Sequence, residues 1–351
     1  MSMKEKDVWL DFIRALAIVS VVICHFSSFQ AETLGVPKVG IFSAIGLGGY
    51  GVDLFFVLSG WLLGGILLKE IRETGNLDLK NFYRKRWLRT LPCYFAVLTG
   101  TLLQRAASQN FQAIDLAYFG FLQTYMFDRL KFLTISWSLC VEEHFYLLIA
   151  PCLQLFRRSK FLIGCALLVL IALPSFFKAM GWYQNSMQTH VRIDQCATGV
   201  MLAFLRSLNQ EVFRKWVARL NVLAWLGILT LGCMFFCRLT QRVFIYEHEW
   251  ITPIAGIFVV QSVCPLHRVT DRLCRSSLIQ YLASRSYCLY FCHVEALFLL
   301  RRLGLADLTS MLIFFPPLCL LLSEILHRVI ERPFMRIRTP YAPGQRKPSC
   351  P

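Results

Sequence analysis

The stretch "DFIRALAIVSVVICHF", residues 11–26, decides how the chain folds. It reads as part of a membrane-crossing helix, yet it carries Asp11, Arg14 and His25. Residues advance about 100° around a helix, so eleven steps from Arg14 bring His25 back to within about 20° of the same face. Asp11 lies three residues before Arg14, close enough to pair with it. An ionised group facing lipid costs several kcal/mol, so the stripe predicts a face turned to the bundle interior or to a wet cavity. A second reading stays open, in which an Asp–Arg pair sits near an interface and a hydrogen-bonded histidine fixes packing. Arg14 has the reach to snorkel, whereas His25 is too short.

The rest of the chain is as apolar as this stretch. Of 351 residues, 56% are hydrophobic and 17% charged, and the mean hydropathy is +0.53. A soluble domain is nearer a quarter charged, and a bilayer needs about 20 apolar residues per helix. Apolar segments lie near 8–29, 50–68, 91–104, 113–127, 139–156, 161–177, 195–206, 220–237, 250–264, 281–300 and 306–327. The first is too long and too charged for a cleavable signal peptide. The fold class is therefore all-α, a polytopic helical membrane bundle. One membrane domain is expected over 1–334, followed by a short basic, Pro-containing cytoplasmic tail over 335–351. The fourteen cysteines form no C-x-x-C pair and read as small hydrophobes.

The net charge of +16 suggests topology rather than nucleic-acid binding. With the N-terminus inside, the inner segments (1–7, 69–89, 157–160, 206–219, 265–280, 328–351) hold 25 Lys or Arg and the outer loops hold 10. That imbalance puts both termini in the cytoplasm and requires an even number of spans. Segment 113–127 is short, starts near Asp115 and carries Gly120 and Gln123. It is expected to be re-entrant or interfacial, which leaves about ten transmembrane helices.

Four further motifs put polar groups among these spans. "GLGGYGVDLFFVLSGWLLGG" has glycines that allow close helix approach and places Asp53 where it can orient His25, or simply cap a helix. "KNFYRKRWLRTLP" carries Arg84, Lys85, Arg86 and Arg89, suited to anionic headgroups or to a phosphorylated cofactor. "TISWSLCVEEHFYLLIAP" carries Glu142 and Glu143, about 100° apart, so that one at most is expected to face a given pocket. His144 behind them is a packing or hydrogen-bond candidate, with no metal-ligand spacing. "LASRSYCLYFCHVEALF" brings His293 and Glu295, with a structural histidine and a site histidine equally open.

Taken in order, "LDFIRALAIVSVVICHF", "GYGVDLFFVLSGWL", "FYRKRWLRTLP", "WSLCVEEHFYLL", "RIDQCATG", "SRSYCLYFCHVE" and "IERP" resemble the membrane-bound acyltransferase-3 family across residues 10–334. The resemblance implies a multi-pass enzyme of the bacterial inner (cytoplasmic) membrane. It would move an acyl group, commonly acetyl, from cytoplasmic acyl-coenzyme A to a hydroxyl of a carbohydrate or lipid-linked glycan. By position it places the family's critical histidine on His25, its basic partner on Arg14, its basic motif on Arg84 to Arg89 and its acidic motif on Glu142 and Glu143. Phe12, Ala15, Cys140, His144 and Cys292 depart from the usual pattern without removing a candidate catalytic group. Some members carry an extracellular hydrolase-like extension; here a second chemical step would fall to another protein.

The expected mechanism uses neutral His25 as general base or as an acyl-accepting nucleophile. Asp53 or a glutamate orients it, and Arg14 guides the donor or stabilises developing charge. The basic motif is expected at the inner mouth of a protein-lined passage, with the acidic motif and His25 towards the outer one. Acyl-CoA, a glycan acceptor and membrane lipids are the expected partners, with no metal and no nucleic acid. A monomer and a homo-oligomer are equally compatible with the sequence. The rival class is a glycan or lipid transporter or flippase, which also needs an intramembrane polar path.

Overall fold

The structure, a computed structural model, describes residues 8–219, 221–244, 247–263, 272 and 274–337. Among these residues every regular element is helical. The chain divides into two compact units, one comprising residues 1–59 and 209–327, the other residues 60–208 and 328–351.

The opening stretch falls inside α1 (Val8–Leu34). After it come a short α2 (Ile41–Ile45), a 3-10 turn (Gly46–Tyr50) and α3 (Gly51–Thr74). The glycine-rich turn lies directly on α1. A Cβ on Gly48 would sit 2.3 Å from the Ser20 carbonyl oxygen, and one on Gly51 2.5 Å from that of Ala17. Only glycine permits that approach, as the sequence led us to expect.

Further along come α4 (Leu79–Ala107), a 3-10 helix (Ala113–Gly120), the single turn α5 (Gln123–Met126), α6 (Ser136–Phe156), α7 (Lys160–Met180) and α8 (Ile193–Leu208). The remaining helices are α9 (Gln210–Arg219), α10 (Asn221–Leu239), α11 (Glu247–Val260), α12 (Ser277–Arg302), α13 (Leu308–Leu326) and α14 (Arg332–Ile337). Side-chain caps set several starts. Asp78 accepts from the Asn81 amide at 3.0 Å, Ser276 from Ile279 at 3.4 Å and Asp307 from Ser310 at 2.9 Å. Gly181, with φ of 67°, ends α7.

In the first unit α1 packs along α12 and against the glycine-rich turn, and α12 packs on α13. Its core includes Ile13, Ile18, Val21 and Phe291. In the second unit α7 packs on α8 and both meet α6, around Tyr94, Tyr118, Phe145 and Tyr146.

Six described stretches are long and apolar enough to cross a membrane: Val8–Leu34, Ile41–Thr74, Ser136–Phe156, Lys160–Met180, Asn221–Leu239 and Leu308–Ile337. The expected spans 91–104 and 281–300 lie inside α4 and α12, of 29 and 26 residues, which are long enough but carry more charge. Those at 195–206 and 250–264 fall on the shorter helices α8 and α11. Segment 113–127 holds only the 3-10 helix and α5, neither long enough to cross. The tail boundary expected at 334 falls inside α14, and residues 338–351 lie outside the described residues.

The apolar segment expected at 91–104 is the later part of a longer helix, as α4 begins at Leu79. The Asp78 cap starts the helix a full three turns earlier, so Arg84 to Arg89 are helical and present different faces. The twelve described cysteines are free; seven are buried, and Cys233 is exposed.

Candidate active site

The first unit supplies the histidine. His25 projects from α1 towards α12, where its Nδ1 lies 3.0 Å from Nε2 of His293. The ring centroids are 5.0 Å apart and tilted by 41°. His293 is fully buried, and its Nδ1 lies 3.1 Å from the Leu289 carbonyl oxygen, one turn earlier on α12. His25 is half-buried. Among the described residues no carboxylate is hydrogen-bonded to either ring. The partner expected to be Asp53 or a glutamate is therefore a second imidazole. Asp53 sits in the first turn of α3 and is 3% exposed.

Arg14 forms an ion pair with Asp11 one turn away, as the i, i+3 spacing led us to expect, and both are half-buried. Trp9 anchors the same end of α1 by donating from Nε1 to the Phe258 carbonyl at 2.7 Å. An open apolar groove of about 350 Å³ runs between α1, α12 and α13, lined by Ile18, Val22, Phe26, Leu289, Phe315 and Cys319 among others; neither His25 nor His293 lines it. Its lining has almost no polar surface, so it suits hydrocarbon and not phosphate.

The second unit brings the basic and acidic motifs together. Arg86 Nη2 lies 3.4 Å from Glu142 Oε2, and its guanidinium stacks 4.1 Å above the Tyr146 ring and donates to the Tyr146 hydroxyl. Glu143 is 2% exposed; one oxygen accepts from Thr90 at 2.9 Å and the other from Trp87 Nε1 at 3.2 Å. The expectation that basic and acidic motifs occupy opposite mouths is thus overturned. With α4 starting at Leu79, Arg86, Trp87 and Thr90 fall two to three turns inside a helix, level with the second turn of α6. Both glutamates contact α4, each on different residues of it. Adjacent residues 100° apart can still reach one broad neighbour when that neighbour offers Arg86 on one side and Trp87 with Thr90 on the other.

The remaining basic residues differ in access. Arg84 is exposed, Arg89 half-buried and Lys85 only 7% exposed. His144 makes the hydrogen bond anticipated for it, 2.8 Å from Thr189 Oγ1. Sequence leaves the role of His293 open. The signal available was its place in "YCLYFCHVE"; its partner, 268 positions away, has no local signature.

Residues 7–323 match the family described as the acyltransferase domain. The candidate O-acetyltransferase SACOL0978 of Staphylococcus aureus strain COL is 26% identical over 93% of this chain and 57% of its own length. The O-acetyltransferase OatA of S. aureus strain NCTC 8325 is 25% identical over the same shares. The chain thus spans less than two thirds of these relatives' length. No solved structure matches it.

Proposed function

This chain belongs to the acyltransferase-domain family, and from that premise we propose that it transfers an acyl group, most simply acetyl, from acyl-coenzyme A to a hydroxyl of a carbohydrate or lipid-linked glycan. The observation that carries the reading is a half-buried imidazole, His25, held by a second imidazole inside a helix long enough to span a membrane. A polar group at that depth needs a functional reason, and neutral imidazole is the side chain suited to moving a proton near pH 7.

In the proposed reaction the acceptor oxygen attacks the thioester carbonyl carbon. A C–O bond forms and the C–S bond breaks. His25 takes the hydroxyl proton and returns it to the departing thiolate, so the products are the ester and free coenzyme A. Arg14 lies about 16 Å of helix rise before His25, paired with Asp11, and its proposed role is to guide the anionic donor along the same helix face. Asp53 is buried in the first turn of α3, directly after the glycine-rich turn that packs on the His25 helix, and its proposed role is to support that junction.

Arg84, Lys85 and Arg89 are assigned to the donor's phosphates by charge and by their place at the start of α4. Arg86 orders α4 through Glu142 and Tyr146, and Glu143 does the same through Thr90 and Trp87. The wider arrangement we propose is a bacterial inner-membrane protein of about ten spans, both termini cytoplasmic. The six stretches named above and the helices α4, α8, α11 and α12 make up that number.

The test uses purified full-length protein in liposomes with acetyl-CoA and a candidate glycan. Free coenzyme A released only when acceptor is present, with acetyl recovered on the glycan, supports acyl transfer. Glycan crossing the bilayer without acetyl-CoA being consumed supports the transporter class instead.

A further inference from the structure

The two histidines carry more information than their proximity. A backbone carbonyl only accepts hydrogen bonds, so the His293 nitrogen facing Leu289 at 3.1 Å must bear a proton. His293 is fully buried, and no carboxylate is hydrogen-bonded to it among the described residues, so its ring is neutral. A neutral imidazole with its proton on Nδ1 has a lone pair on Nε2. That lone pair faces Nδ1 of His25 at 3.0 Å, and two lone pairs at such a distance repel. His25 therefore carries its proton on Nδ1.

We propose that His293 is a positioning residue that fixes the tautomer and orientation of His25, leaving the His25 Nε2 lone pair free to take the acceptor's proton. The chain of donors runs from His25 Nδ1–H to His293 Nε2, and from His293 Nδ1–H to the Leu289 carbonyl. This proposal rests on the reading of His25 as the base. When His25 becomes positively charged during transfer, its Nδ1–H bond to His293 strengthens, and the positive charge is stabilised without a carboxylate. An imidazole in this place differs from a carboxylate in one respect. It orients the base without adding a negative charge beside an anionic thiolate leaving group.

Leu289 ties the arrangement to the fold. Its carbonyl sets the His293 tautomer, while its side chain lines the apolar groove. Helix α12 thus carries the acceptor nitrogen one turn after the residue whose carbonyl fixes its tautomer.

The test combines two measurements on full-length protein in detergent. The first is ¹⁵N NMR of ring-labelled histidine, with the His25 signals assigned by their loss in His25→Ala. The expected wild-type spectrum shows His25 protonated on Nδ1 and bare on Nε2. The second is steady-state acetyl transfer by His293→Leu and His293→Gln. Leucine removes the acceptor; kcat should fall about 10–100-fold, as for loss of an orienting partner, while KM for acetyl-CoA holds. The glutamine amide oxygen can occupy the Nε2 position, so His293→Gln should recover most of the rate and keep the His25 spectrum.

A wild-type spectrum with the proton on His25 Nε2 overturns the proposal, even where neither variant folds. So does a His293→Leu protein with wild-type kcat. If His25→Ala still transfers acetyl, the base reading fails. In that event the spectrum alone still decides whether His293 sets the tautomer.

Discussion

Arg86 allows two opposed predictions, because its sequence suggests a phosphate ligand and its geometry an internal partner. Consider Arg86→Ala, Glu142→Ala and the double variant. The charged groups are 3.4 Å apart with side chains 17% and 16% exposed. Two unit charges near 4 Å attract by about 4 kcal/mol at an effective dielectric of 20, an upper bound before ordering costs. A net coupling of about 2 kcal/mol is the reasonable value for a pair in contact. Loss of the guanidinium over Tyr146, at 4.1 Å, adds about 1 kcal/mol. Arg86→Ala should then cost about 3 kcal/mol and Glu142→Ala about 2 kcal/mol, with the double variant near 3 kcal/mol and not their sum. Unfolding of the detergent-solubilised protein by denaturant measures all three, with KM for acetyl-CoA taken in parallel. Single-variant costs that add to within about 0.5 kcal/mol would refute the pairing. A rise in KM of tenfold or more in Arg86→Ala alone, without loss of stability, would return Arg86 to the donor site.

Three other outcomes follow from local geometry. Gly60→Ala would bring Cβ to 2.0 Å from the Cys196 carbonyl oxygen, whereas a Cβ on Gly65 meets nothing within 4 Å. Thermal unfolding should show Gly60→Ala destabilised by about 1–3 kcal/mol and Gly65→Ala unchanged or slightly stabilised. Asp115, fully buried, accepts from Arg105 Nε at 3.2 Å and Nη2 at 3.1 Å, so Asp115→Ala should cost about 3–5 kcal/mol in the same assay. At the exposed cap of α13, hydrogen bonds from the Ser310 hydroxyl and amide hold the Asp307 carboxyl below its ordinary range. The folded value lies below the unfolded one, so this stabilisation is present above the unfolded value and fades as pH falls through the folded one. Unfolding midpoints at acid pH should therefore drop more in the wild type than in Asp307→Asn.

Sequence periodicity reached what is local. The span at α1, the Asp11–Arg14 pair and the glycine-bearing contact with α1 all follow from spacings of a few residues. The start of α4 has only a faint signature in sequence, because Asp78 stands before a strongly charged stretch that lacks the apolar period of a span. The earlier start moves Arg86 from the expected mouth into the helix and next to Glu142, 56 positions on. The His25–His293 bond joins residues 268 positions apart, and no rule of local spacing foretells which distant helix a polar face will meet. Sequence alone thus singled out His25 and offered it a carboxylate, the commoner partner, where the fold supplies an imidazole.

The most direct measurement is the rate of acceptor-dependent coenzyme A release by His25→Ala, reconstituted beside the wild type at matched folded amounts. The account predicts that the variant inserts normally and that its release falls to the level seen without acceptor. Release at the wild-type rate by a correctly folded His25→Ala protein would contradict it.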